Sequence, residues 1–124
     1  MFDKTAIILF SDTEHPGSHG RFIHAFTAAK ELKDAGRDFK VVFEGIGVTW
    51  LGALHLRDHP VAKAYGHLFD EVRDHVMGAC YFCTTKRFEM GDSAEALGIP
   101  MLTGHGEHFS IGTLVDEGYQ IITF

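Results

Sequence analysis

Two cysteines, a single tryptophan and no cluster of basic residues mark what this chain of 124 residues has little of. Two cysteines three residues apart are not a disulfide framework, and such usage suits a reducing cytoplasm, the expected location. A net charge of −6 without a Lys/Arg run excludes nucleic acid as a main partner. The longest uncharged stretch, Gly45 to Leu56, is too short and too rich in glycine to span a bilayer, so no membrane partner is expected. Met1-Phe2-Asp3-Lys4 leads directly into a strand, so no signal peptide is expected. Gly-x-Gly-x-x-Gly, Walker and Gly-x-Ser-x-Gly sequences are missing, which removes support for nucleotide binding and serine hydrolysis.

What is present is ordinary in bulk and unusual in detail. Hydrophobic and charged contents of 45% and 23% are those of one globular domain. Nine histidines and eleven phenylalanines are high counts for that size, so each histidine is a candidate to be placed.

Hydrophobic periodicity predicts five strands alternating with helices. Thr5-Ala6-Ile7-Ile8-Leu9-Phe10 is a continuous apolar run, the pattern of a strand buried on both faces of a parallel sheet. The segment from Ser11 to Gly20, rich in Pro, Gly, Ser and His, leaves its carboxyl end. A helix from Ser18 or His19 then carries Phe22, Phe26 and Ala29 at helical spacing, and Gly36 stops it. Asp38 to Phe43 is the second strand, with Phe39, Val41 and Phe43 on one face, ending at Glu44-Gly45. Gly47 to Arg57 reads as a short helix. Pro60, capped by Asp58 or His59, opens another whose buried stripe is Val61, Tyr65, Leu68 and Val72. Val76 to Ala79 is the third strand. Asp92 caps a helix that Gly98 stops, and Ile99 to Leu102 is the fourth strand. A last helix from about Glu107 to Glu117 and a strand from Tyr119 to Thr123 complete the chain. The alternation predicts a three-layer α/β/α sandwich around a five-stranded, mainly parallel sheet.

The third strand ends in the two cysteines, Ala79-Cys80-Tyr81-Phe82-Cys83-Thr84-Thr85-Lys86-Arg87. In open α/β sheets the carboxyl edge is where ligands bind. A thiol there, at a helix start and near Lys86 and Arg87, would have its thiolate favoured by dipole and charge. The alternative is that both cysteines are small buried hydrophobes. Gly104-His105-Gly106-Glu107-His108 leaves the fourth strand on the same edge. With Cys80 and Cys83, His105 and His108 could complete a Cys2His2 zinc site. Otherwise Gly106 and Glu107 open the last helix, whose amides would hold an anion. Glu44, at the end of the second strand, is either an acid or base or a solvated carboxylate, and Asp12 has the same two readings.

These features together resemble the DsrE/DsrF-like family of sulfur-relay and YchN-type proteins. The resemblance spans nearly the whole chain, from the opening strand and its polar loop through Val41-Val42-Phe43-Glu44-Gly45 and the cysteine segment. It extends to the closing Ile111-Gly112-Thr113-Leu114-Val115 and Tyr119-Gln120-Ile121-Ile122-Thr123-Phe124. In that family an Arg-Gly pair follows the persulfide-carrying cysteine; Arg87 matches its spacing from Cys80, whereas Phe88 stands in place of the glycine. The resemblance implies a cytosolic persulfide carrier, without a cofactor, that exchanges sulfur with donor and acceptor proteins. Cys80 would accept sulfur and Cys83 would resolve it. Lys86, Arg87, His105, Glu107, His108, His15 and His19 would line one cleft suited to a small anionic sulfur species. The alternatives are a non-enzymatic oligomeric binding protein and a Cys/His metal-binding module. An exposed Cys80 favours the carrier, burial of both sulfurs the binding protein, and sulfurs converging with imidazoles the metal module.

A homo-oligomer is expected, a trimer or hexamer by the resemblance. Independently, the phenylalanines with Trp50, Leu51 and Leu54 exceed what one small core buries, and leftover apolar surface marks interfaces. Light scattering at micromolar concentration should find several chains per particle; a monomer refutes the expectation.

Overall fold

A computed structural model of the chain describes residues 3–124. Met1 and Phe2, on which the expected lack of a leader partly rests, lie outside the described residues. The architecture is a five-stranded parallel sheet flanked by helices, a three-layer α/β/α sandwich. In chain order the elements are β1 (Lys4–Leu9), α1 (Pro16–Asp34), β2 (Asp38–Phe43), a 3-10 turn (Gly45–Val48) and α2 (Thr49–Leu56). They continue with α3 (Pro60–Val72), β3 (Val76–Cys80), a π-helical turn (Phe82–Arg87), α4 (Gly91–Leu97) and β4 (Met101–Leu102). A two-stranded hairpin, β5 (Gly104–His105) and β6 (His108–Phe109), precedes α5 (Ile111–Asp116) and β7 (Tyr119–Thr123).

The sheet order is β4-β3-β2-β1-β7. β1 lies between β2 and β7, and its residues Ala6 to Leu9 are fully buried. That is why it reads as an unbroken apolar run rather than an alternating one. Ile7 and Leu9 join Phe22, Phe26, Val41, Phe43, Trp50 and Phe69 in the larger core, on the face covered by α1 to α3. Ala6, Ile8 and Val42 face the other way, against Leu114 of α5 and Tyr119. Phe26 is central to the larger core, with its ring 4.8 Å from Phe22 and 5.9 Å from Phe69 between centroids. Trp50 stacks on Phe22 at 4.1 Å and donates its Nε1–H to the Ser11 carbonyl at 3.0 Å. A buried indole thereby ties α2 to the loop after β1.

Five expectations are corrected. The segment from Glu107 to Ser110 is not helical: Gly104 and His105 pair antiparallel with Phe109 and His108, and α5 begins only at Ile111. The two-residue loop Gly106-Glu107 uses the left-handed φ of 60° at Gly106, the conformation tight hairpins demand. The buried positions of α3 are Ala62, Gly66, Phe69 and Val72, while Tyr65 is exposed. Arg57 lies against Gly66, where a Cβ would meet its guanidinium, and this sets how α3 is rotated. The fourth strand is confined to Met101–Leu102, and α1 starts two residues early, at Pro16. Trp50, Leu51 and Leu54 are buried rather than left over; among the described residues the most exposed large apolar side chains are Leu56 (65%), Val115 (60%) and Ile46 (42%), and of the phenylalanines Phe10 is exposed.

Gly47 is required by close approach, because a Cβ there would lie 2.0 Å from the Leu9 carbonyl oxygen. That neighbour is backbone and cannot rotate away. Gly47→Ala should therefore lower the urea unfolding free energy by about 3 kcal/mol, the upper end for overpacking. Gly91→Ala, with nothing within 4 Å, should leave it unchanged or slightly raised. Equal stability of the two variants would show that the Gly45–Val48 turn is not held against β1.

Candidate thiol–imidazole site at the end of the third strand

Cys80 is the last residue of β3, and its side chain is fully buried. The backbone then enters the π-helical turn, in which the Phe88 N–H reaches the Cys83 carbonyl at 3.0 Å. Such wide turns are rare and concentrate at functional sites. Here the turn keeps Cys83, 6% exposed, beside Cys80.

The hairpin closes the site from the β4 side. The Phe82 N–H donates to the Glu107 carbonyl at 3.0 Å, and Lys86 Nζ pairs with Glu107 Oε1 at 2.8 Å. These two ties hold β6 over the turn. His108 Nδ1 consequently lies 3.8 Å from Cys80 Sγ, with its ring 4.5 Å from Phe82 between centroids. One ligand atom each from Cys80, Cys83 and His108 falls within 4.8 Å of the other two.

Glu44 approaches from the β2 side. Its Oε1 accepts from the Gly45 N–H at 3.0 Å and from the Cys83 thiol at 3.5 Å. Oε2 is buried without a partner among the described residues. Burial first, then the hydrogen bond and charge interaction with Cys80 and the charge of Glu44, push the Cys83 thiol from 9.0 up to about 12. A cavity of about 440 Å³ opens beside the cluster, lined by Gly45, Ile46, Phe82, Cys83, Arg87, Phe88 and His108.

The residues singled out from sequence divide accordingly. Cys80, Cys83 and His108 converge, and Arg87 lines the cavity. Lys86 and Glu107 form the tie that seats the hairpin. His105 stands opposite His108 across the hairpin and is exposed like it, but lies outside the cluster, so the Cys2His2 set reduces to Cys2His. The loop after β1 does not join them. His15 pairs with Asp12 at 2.6 Å, which holds the Asp12 carboxyl well below the usual carboxylate range. His19 and His59 both donate to the Thr13 carbonyl, at 2.6 and 2.7 Å. The single cleft expected from the three segments is therefore not formed, since β2 separates β1 from β3. Nor is Cys80 the exposed thiol that would favour the carrier, since both sulfurs are buried. The amides of Gly106 and Glu107 belong to a hairpin loop, so no helix start offers them to an anion. Glu44, for which a solvated reading was open, is 8% exposed and touches Cys83. The signal for it was its place after an apolar strand, decisive only once β2 is known to neighbour β3.

Fold and site together define an α/β sandwich with two buried thiols beside an exposed imidazole at the carboxyl edge of its sheet. Among known proteins the chain is similar to MJ0733 of Methanocaldococcus jannaschii, an uncharacterised protein. The two are 27% identical over 122 residues, which cover 98% of this chain and 95% of that protein. In fold it is similar to BT1422 of Bacteroides thetaiotaomicron, a conserved protein of unknown function, at a TM-score of 0.64 and 19% identity. That likeness covers 98% of this chain and 95% of the other. No family model matches the chain.

The raised Cys83 value carries a sign. Its protonated thiol stabilises the fold fully below pH 9, and that contribution is lost as the pH rises toward 12. The urea midpoint of the reduced protein should fall across this window, and Cys83→Ser should flatten the fall. An identical alkaline slope in both proteins would assign the loss to other groups.

Proposed function

We propose that the chain is a metal-binding protein whose centre is formed by the Cys80 and Cys83 sulfurs and the His108 imidazole. The convergence of these three donors within 4.8 Å carries the reading. With Zn–S near 2.3 Å and Zn–N near 2.0–2.1 Å, a tetrahedral S···N edge is about 3.5 Å. The Cys80–His108 separation of 3.8 Å is close to that value. Two thiols and an imidazole are a soft-to-borderline donor set, which suits zinc better than calcium or magnesium. Metal binding would expel the thiol protons, so affinity rises with pH. The burial that withholds Cys80 from a protein partner is no obstacle to an ion.

A second reading is the persulfide carrier. It is favoured by Cys80 at the strand end, by Cys83 on a cavity wall beside Arg87, and by the resemblance to DsrE/DsrF-like proteins. In that chemistry a donor persulfide R–S–SH passes its outer sulfur to the Cys80 thiolate. Cys80–S–SH forms and R–S⁻ leaves.

Titration of the reduced, metal-free protein with Co²⁺ separates the two. One equivalent should give a thiolate-to-cobalt charge-transfer band, and Zn²⁺ should displace it. Cys80→Ala, Cys83→Ala and His108→Ala should each weaken binding at least about tenfold, whereas His105→Ala should not. Absence of the band in the wild-type protein would sink the metal reading. A gain of one sulfur atom at Cys80 after exposure to a persulfide donor, seen by mass spectrometry, would then support the carrier.

A further inference from the structure

The cavity beside the cluster has a character that the metal reading leaves unused. At about 440 Å³ it lies within the roughly 300–1,000 Å³ range of small-molecule sites. Its side-chain walls are Ile46, Phe82 and Phe88 with the Cys83 thiol, the His108 imidazole and one cation, Arg87. Among the described residues Arg87 makes no ion pair, although the chain carries a net charge of −6 and the adjacent Lys86 is paired with Glu107. Its guanidinium sits 5.3 Å over the Phe88 ring, against an apolar wall. A nearby carboxylate, Glu44, does not line the cavity, and its Oε1 is already taken by Gly45 and Cys83.

We infer that this cavity binds a small carboxylate with an aromatic body. A guanidinium presents parallel N–H donors that match a carboxylate, and such charge-assisted pairs are about twice as strong as neutral ones. The two phenylalanine rings supply faces and edges for an aromatic ring, which gains from offset or edge contact. Ile46, 42% exposed, is a large apolar side chain left beside the solvent for a ligand to cover. An inorganic anion would satisfy Arg87 and leave those apolar walls uncovered. A neutral aromatic would cover them and leave the guanidinium unmatched. The combination selects a ligand with both parts. Neither the cavity nor Arg87 needs the metal, so the inference stands or falls apart from the proposed metal centre.

The test uses the reduced, metal-free full chain with phenylacetate, phenylacetamide and acetate as probes, followed by NMR titration. Phenylacetate should bind, with shifts centred on Ile46, Phe82 and Phe88, and about tenfold to a hundredfold more tightly than phenylacetamide. Acetate should bind far more weakly. Arg87→Gln should bring phenylacetate and phenylacetamide to the same affinity, and Phe88→Ala should weaken both. Equal binding of acid and amide to the wild-type protein, or shifts centred elsewhere, would overturn the inference. So would a preference that survives Arg87→Gln, or no binding of phenylacetate at millimolar concentration.

Discussion

The place of β3 in the sheet decides what can meet Cys80. Neighbouring strands lie about 4.7–4.9 Å apart, so a side chain at a strand end is reached by segments leaving the strands on either side. For β3 those are β2 and β4. β2 delivers Glu44 and the Gly45–Val48 turn; β4 delivers the hairpin with His108. The loop after β1 leaves two strands away, roughly twice that spacing, and its His15 bonds to Asp12 while His19 bonds to the Thr13 carbonyl. Gly78 tightens the arrangement. A Cβ there would lie 2.4 Å from the Pro100 carbonyl oxygen, which itself accepts from the Ala79 N–H at 2.9 Å. Glycine lets β4 approach β3 closely, and the hairpin follows it onto the thiols.

The chemistry gathered there is costly for the fold. Two thiols and a carboxylate are buried together beside the exposed His108 ring, and buried polar groups ordinarily find hydrogen-bond partners. Among the described residues Glu44 Oε2 does not, and neither does Thr84 Oγ1 of the π-helical turn. An apolar replacement of similar shape would remove these penalties. Local structure that opposes stability in this way is the mark of a site rather than of a core. The wide turn belongs to the same account, since an ordinary α-helical turn would retain more regular hydrogen bonding.

The sheet was legible from sequence wherever a strand is long and buried. The unbroken apolar run of β1, the alternation of Phe39, Val41 and Phe43, and the terminal β7 all lie where periodicity puts them. Legibility failed where elements are short. β4, β5 and β6 have two residues each, too few for a period of two to show, so the hairpin goes unseen and its second strand falls within the helix expected from Glu107. Gly106 and Glu107 read as the start of the last helix, although Gly106 takes the left-handed φ of a hairpin loop. At the site, Cys80 and Cys83 were found from their spacing at a strand end. His108 could not be chosen over His105 without the hairpin register, and Glu44 could not be joined to them without the strand order. Both are facts of long-range pairing, on which local sequence is silent. The rotated stripe of α3 has a similar cause, because Arg57 packs against Gly66 across a turn between helices.

The number of donors bears on what a metal would do here. Structural zinc sites close the coordination shell with four protein ligands, whereas catalytic ones keep a position open. The cluster offers three donors within mutual reach, and Glu44 is joined to it through Cys83 alone. Cys83 and His108 also stand on the wall of the cavity that Arg87 lines, so an open position would face a space able to admit a small molecule. Lys86 and Glu107 keep His108 in that wall from the far side of the hairpin. A purely structural centre would have little use for such a cavity, and a protein-to-protein sulfur carrier would need a more accessible Cys80 than this one. Under the proposed metal reading, Cys80, Cys83 and His108 would hold the ion and the cavity that Arg87 lines would admit a small molecule beside it, which would account for the burial and the cavity together.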